Sequence, residues 1–376
     1  MKFFDKEVDN PKRIFGLDFL RALAIILVVL AHTLQIIIPK YFPSYLSALP
    51  PYFGIYGVEI FFVLSGFLIG TIIIKNLNET EEYDFKKIKH FWIRRWFRTL
   101  PNYYLIFFIF LLFDGFSLLK DLPIFFRYLI FFQNFYGMVP NFFGVSWSLA
   151  IEEWFYLLFP ITLFIVTKTN SKKYRSLWIT TILFIIITLI FRGYFAFSDL
   201  IYNLDNPFRN VVVTRLDAIA IGVLAGLINY YHKDFWEKNK KLFFILGICF
   251  LILSILLLIL INNNSFIMKT FFYTYLSFSI AFLFPLTYSM NRFKLNYFTR
   301  LITHISLISY SIYLIHTLIY ELIYNAQIKT GFINPTLGFF IILLYIFIIS
   351  TFQYRLFEKP MTRLRERFSN DKKTEK

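Results

Sequence analysis

Residues 13–32 read RIFGLDFLRALAIILVVLAH. The run is apolar over the roughly 20 residues that a helix needs to cross a bilayer. After Arg13 at its start, it nevertheless carries three ionisable groups, Asp18, Arg21 and His32. Arg21 and His32 are eleven residues apart, which at roughly 100° per residue is three turns plus about 20°. The two therefore share a helix face. Asp18 lies three residues before Arg21, a spacing that lets them pair. A lone histidine in a span is as readily a helix-packing hydrogen bond. Three such groups on one stripe point instead to a cavity or pathway, because charges inside a membrane are costly.

The rest of the chain agrees with a membrane setting. It has 376 residues, 58% of them hydrophobic, and a mean hydropathy of +0.61. Repeated apolar runs of about 20 residues give an all-α fold, a polytopic bundle of about ten transmembrane helices. The 51 Phe and 25 Tyr supply lipid-facing bulk and interface anchors. Cys249 is the single cysteine, so an internal disulfide is excluded. It reads as filler within the apolar run LGICFLILSILLL. With no His/Cys cluster, no structural metal site is expected. The first apolar stretch is too long for a signal-peptide core and lacks a clear cleavage site, so it is expected to stay as the first span.

Ten spans are predicted, over 14–38, 53–74, 99–119, 146–167, 176–196, 211–231, 242–261, 267–290, 301–325 and 332–354. With the N-terminus inside, 30 of the 39 Lys and Arg fall in the cytoplasmic segments. Six fall outside (Lys40, Lys120, Arg127, Arg209, Lys269 and Lys329), and Arg21, Arg192 and Arg215 lie within spans. This asymmetry puts both termini in the cytoplasm and accounts for the net charge of +16 without nucleic acid. The chain divides into a cytoplasmic segment 1–13, a membrane domain 14–354 and a basic tail 355–376. The tail is expected to lie on anionic lipid as an amphipathic segment. The outer segment 114–145 contains RYLIFFQNFYGM, too short and polar to span, and reads as a re-entrant or interfacial helix. Pro39, Pro43, Pro50 and Pro51 make the first outer loop rigid and turn-rich.

At roughly 1.5 Å per residue, five spans place ionisable residues in one layer of the outer half. They are His32, Glu59, Glu152 with Glu153, Arg215 with Asp217, and His316 somewhat deeper. Isolated buried ion pairs, such as Arg215 with a carboxylate, are the plainer alternative for any one of them. On the inner side, HFWIRRWFRTLP clusters Arg94, Arg95 and Arg98. Arginine clusters set topology and touch headgroups, but the planar guanidinium fork also suits phosphate. Arg21 lies between this cluster and His32. The pattern suggests a phosphate-bearing donor docked at the arginines, with a neutral His32, oriented by Glu59 or Glu152, acting as general base on an incoming hydroxyl. A covalent acyl-histidine is the other route.

These blocks resemble the acyltransferase 3 family of integral membrane O-acyltransferases. GLDFLRALAIILVVLAH, GVEIFFVLSGFLIG, FWIRRWFRTLP, WSLAIEEWFYLLFP, RLDAIAIGVLAG, SYSIYLIH and FEKP follow the family's order from Arg13 to Pro360. The resemblance implies a multi-pass protein of the cytoplasmic membrane. It implies acyl-CoA, above all acetyl-CoA, as donor substrate, and no permanently bound cofactor. The acceptor would be an extracytoplasmic or lipid-linked glycan, less often a small molecule. His32 would be catalytic with Arg21 its motif partner, and Arg94, Arg95 and Arg98 would contact CoA phosphates. Some relatives carry an extra soluble hydrolase-like domain; a relay here would need a separate soluble acyltransferase partner. The competing class is a transporter or exporter of a polar molecule or glycan, supported by the buried charges but lacking an inverted repeat. A non-catalytic scaffold would leave the polar layer without a purpose.

Overall fold

A computed structural model describes residues 5–43, 46–47, 49–78, 83–137, 142–169, 172–198, 207–261, 265–290, 296–328 and 330–368. Residues 1–4, Lys329, residues 138–141 of the outer segment and 369–376 of the basic tail lie outside these.

The described residues form helices joined by short turns. Nine are long and apolar enough to cross a membrane, and the shorter apolar helix Leu216–Tyr231 packs among them as a tenth. The chain is a multi-pass integral membrane protein. The helices are α1 (Phe15–Thr33), α2 (Leu49–Asn78), α3 (Phe85–Phe113), α4 (Leu122–Leu129), α5 (Ser146–Thr169), α6 (Lys173–Ser198), α7 (Leu216–Tyr231), α8 (Lys233–Leu260), α9 (Phe266–Ala281), α10 (Phe284–Tyr288), α11 (Tyr297–Ile323), α12 (Pro335–Gln353) and α13 (Lys359–Phe368).

The bundle is built around α2, which packs against α1 on one side and α7 on the other. Small residues permit both contacts. A Cβ on Gly57 would lie 2.7 Å from the Ala24 carbonyl of α1. On the α7 side, a Cβ on Gly66 would lie 1.9 Å from the Ile219 carbonyl, and one on Gly222 would lie 2.1 Å from the Val63 carbonyl. Such close backbone approach is how membrane helices gain packing when hydrocarbon surrounds them. Around this centre the helices grow more exposed. In α8 the buried residues are Trp236, Gly247 and Ser254; most of its Ile and Leu side chains are exposed, as a lipid-facing helix requires.

Of the boundaries that differ from expectation, three bear on the site. The RYLIFFQNFYGM segment is helical only to Leu129, where α4 ends. Gln133 and Asn134 are buried in irregular backbone: the Gln133 amide donates to Ser146 Oγ (3.2 Å), and that of Asn134 to the carbonyl of Trp147 (2.9 Å). Non-helical backbone is tolerated at this depth only where partners satisfy it. The last span does not stop at residue 354. It passes through a π-turn, Tyr354–Glu358, into α13, and α13 packs on α3. Finally, α3 begins at Phe85 rather than near residue 99, so the arginine cluster lies within the helix, where Asp84 caps the amide of Lys87.

Candidate active site

The arginine cluster divides by helix face. Arg95 and Arg98, one turn apart on α3, line a cavity together with Arg21 of α1; Arg94 is exposed and does not line it. The cavity is a partly open cleft rather than a sealed void, as small-ligand sites are. The α5 wall carries Ser148, Glu152 and Tyr156, and the α11 wall Ser309, Tyr310 and Tyr313. Both stripes follow the three- and four-residue spacing of one helix face. The Tyr156 hydroxyl donates to the Glu152 carboxylate (2.6 Å) and lies 2.6 Å from Ser65 Oγ. The Arg95 guanidinium sits 5.6 Å from the centre of the Tyr156 ring.

Asp18 is buried and held mainly by Arg13, which donates to it from both Nε (2.8 Å) and Nη2. The Ser306 hydroxyl adds a third bond at 2.7 Å. The expected pairing of Asp18 with Arg21 is present only at 3.9 Å. Arg21 is thereby left facing the cavity.

Tyr313 closes the cavity's deep end. Its hydroxyl is 2.5 Å from Ser148 Oγ and 3.1 Å from the Val145 carbonyl. Behind it lies His316, 5.9 Å away between ring centres, and the His32 ring lies a further 5.1 Å from that of His316. The Nδ1 of His316 is 2.8 Å from the Tyr313 carbonyl and 3.1 Å from that of Ile312. Carbonyls only accept, so Nδ1 carries the proton and Nε2 the lone pair. That Nε2 is buried and has no partner. His32, by contrast, is half-buried.

The carboxylates expected beside His32 lie elsewhere. Glu59 is paired with Arg215 and accepts from Ser277 Oγ. The reason is angular. Gly57 faces α1, and Glu59, two residues and roughly 200° further round, faces α7 and α9. Glu152 is occupied by Tyr156, on the arginine side of Tyr313. Glu153 is buried with Oε2 unpartnered and does not line the cavity. The residue brought to His32 is His316.

Asp217 and Arg215 point to different partners. Asp217 accepts from Arg192 and from the Thr274 hydroxyl at 2.6 Å. Arg215 also stacks on Tyr273, 4.4 Å from the ring centre. The outer polar layer is therefore two buried ion pairs plus a separate histidine pair. Sequence reasoning missed Tyr156, Tyr313, Arg192 and Glu358. The last accepts from Ser311 (2.5 Å) and Asn102 (3.3 Å). Among the described residues no His/Cys/Asp/Glu cluster suits a metal.

A membrane helix bundle with an arginine-lined cavity backed by a histidine pair defines a class of intramembrane group-transfer or binding proteins. The profile of the acyltransferase 3 family, described as an acyltransferase domain, matches residues 14–355, and the chain belongs to that family. It is 27% identical over 377 residues to the O-acetyltransferase OatA of Staphylococcus aureus, covering 94% of this chain and 58% of that protein. It is 32% identical over 176 residues to the peptidoglycan O-acetyltransferase OatA of Listeria monocytogenes, covering 42% of this chain and 25% of that protein. Even in the longest of these matches the chain spans less than three fifths of the relative's length. No solved structure matches.

Proposed function

We propose that the protein is an O-acyltransferase of the cytoplasmic membrane. It would move an acyl group, acetyl in the first instance, from cytoplasmic acyl-CoA to a hydroxyl of an extracytoplasmic or lipid-linked glycan. The observation that carries this reading is the line of contacts from the arginine cavity through Tyr313 and His316 to His32. The positive-inside asymmetry supports a cytoplasmic arginine end. The names of the two relatives support O-acetyl transfer, and one of them supports a peptidoglycan-like acceptor.

In this reading Arg21, Arg95 and Arg98 hold the donor's phosphates, and the Tyr313 side chain turns aside so that the thioester reaches His32. The His316 ring, 5.1 Å from that of His32 between centres, orients it, and neutral His32 offers the acceptor a ring nitrogen with a lone pair. That nitrogen takes the hydroxyl proton as the oxygen attacks the thioester carbonyl. The C–S bond breaks, and His32 returns the proton to the CoA thiolate. Glu152 acts on the donor side, steadying Arg95 through Tyr156.

Mass spectrometry of cell-surface glycans tests this in the wild type, a deletion strain, and the deletion carrying His32→Ala. Loss of one fixed acyl mass in both mutants, with the variant folded in membranes, is the expected result. Normal acylation by His32→Ala would overturn the assignment. Against the transporter reading, Arg215 and Arg192 are each paired with a buried carboxylate rather than lining a path.

A further inference from the structure

Arg209 reads from sequence as a stray outer-loop charge. The structure tucks it beside the histidine pair. It sits in the single helical turn Pro207–Asn210, and Asn134 fastens that turn by donating to the Asn210 carbonyl (2.5 Å) and accepting from the Val212 amide (2.9 Å). A Cβ on Gly54 would lie 3.2 Å from Ala31 Cβ and 3.6 Å from Arg209 Nη2, so the guanidinium is within about 7 Å of the residue preceding His32.

Three properties single this guanidinium out. It lies 5.2 Å from the centre of the Trp147 ring, which fixes its plane. Arg209, Trp147 and His32 are each partly accessible. No carboxylate among the described residues pairs with it, whereas Arg192 and Arg215 each have one. Trp147 packs edge-on against Phe62, which lines the arginine cavity. Arg209 thus lies on the far side of the wall that closes the donor cavity.

We infer that Arg209, oriented by Trp147, is a binding site for an anionic group, carboxylate or phosphate, on the acceptor glycan. The inference rests on the proposed acyl-transfer reading for the identity of the ligand as acceptor. A stacked guanidinium offers two parallel N–H donors, the geometry that carboxylate and phosphate oxygens match bidentately. Engaging the anion there would hold a neighbouring sugar hydroxyl at His32. The acceptor would accordingly be an acidic or phosphorylated sugar, and neutral sugars would be poor.

The test is donor-free binding to the purified full chain in phosphatidylglycerol-containing nanodiscs, measured by titration calorimetry with methyl glucuronide, glucose 6-phosphate and methyl glucoside. At least one anionic probe should bind roughly tenfold more tightly than the neutral one, and the tighter of the two identifies the group. Arg209→Gln should reduce that probe to the neutral level, while Arg209→Lys should retain part of the preference. Equal binding of all three probes by the wild type would overturn the inference without reference to any variant. So would an undiminished anion preference in Arg209→Gln. No acyl transfer enters the readout, so failure here and failure of the acyltransferase reading are separable: a positive binding result with normal glycan acylation by His32→Ala would keep the anion site and discard the catalytic assignment.

Discussion

At the residue scale, two arginine environments lead to opposite expectations. Arg95 and Arg98 face a cavity, so their removal should act on a ligand. Changing both to Gln should raise the apparent KM for acyl-CoA at least about tenfold, since hydrogen bonds to charged groups contribute about 1.5–3 kcal/mol each. Arg94→Gln, off the cavity, should change it little. Steady-state kinetics on the reconstituted protein separates the two variants, and equal effects of both would contradict the facial division. Arg215 faces Glu59 in a buried pair, so its removal should act on the fold. Arg215→Met should cost about 3–5 kcal/mol by stranding a carboxylate, and adding Glu59→Leu should recover much of that loss. Thermal unfolding of the single and double variants gives the comparison. The stripe that binds Glu59 to its true partners was legible in GVEIFFVLSGFLIG. Glu59, Gly66 and Gly70 recur at seven and four residues, one helix face, and the two glycines mark that face as the one against α7. Reading depth alone put Glu59 near His32; reading angle puts it with Arg215. Arg209 was not legible, because its place depends on Asn134 bonding to backbone that lies 76 residues later, and no local period encodes that.

Among the elements, α2 bears the most crowded contacts. Enlarging Gly66 or Gly222 to Leu would drive a side chain into the backbone of the facing helix. Overpacking of cores costs about 1–3 kcal/mol or more, so both variants should lower the midpoint of heat-induced aggregation in detergent. Gly193→Ala, where a Cβ would meet nothing nearer than 4.0 Å, should leave it unchanged. The apolar lengths of the spans were readable because hydrocarbon imposes a length on every helix that crosses it. The outer segment was harder. Its Gln and Asn marked it as unfit to span, yet whether it stayed helical depended on buried partners from α5, which periodicity does not reveal.

For the whole molecule, the charge asymmetry predicts sidedness. In a Cys249→Ser background, a cysteine at Arg94 should react with a membrane-impermeant maleimide only in inverted vesicles. One at Phe197, 86% exposed at the other end, should react only in intact cells. The reverse pattern would invert the direction of transfer. The two ends of the described chain also meet on the basic side. Lys359 donates to both Asp5 oxygens at 2.6 Å, and Arg300 to Asp9 at 3.2 Å. Burial pushes the Asp5 carboxyl up, but the Glu7 amide and the Lys359 ammonium outweigh it, so its pKa lies below the ordinary 3.8. A depressed carboxylate stabilises the folded state above its ordinary pKa, and that contribution is lost as pH falls through the folded value. Docking of α13 should therefore hold at neutral pH and loosen below about 3.8. Asp5→Asn should loosen it at pH 7, seen as faster proteolysis of the tail.

The buried Asp18 has a consequence for biogenesis. Its Ser306 partner is synthesised 288 residues later, so during most of translation the first helix would hold an uncompensated carboxylate in hydrocarbon. Arg13, only five residues upstream, covers it from the moment the helix inserts. The motif thus ships its own counter-ion, and the ribosome need not finish the chain before the first helix can rest in the bilayer.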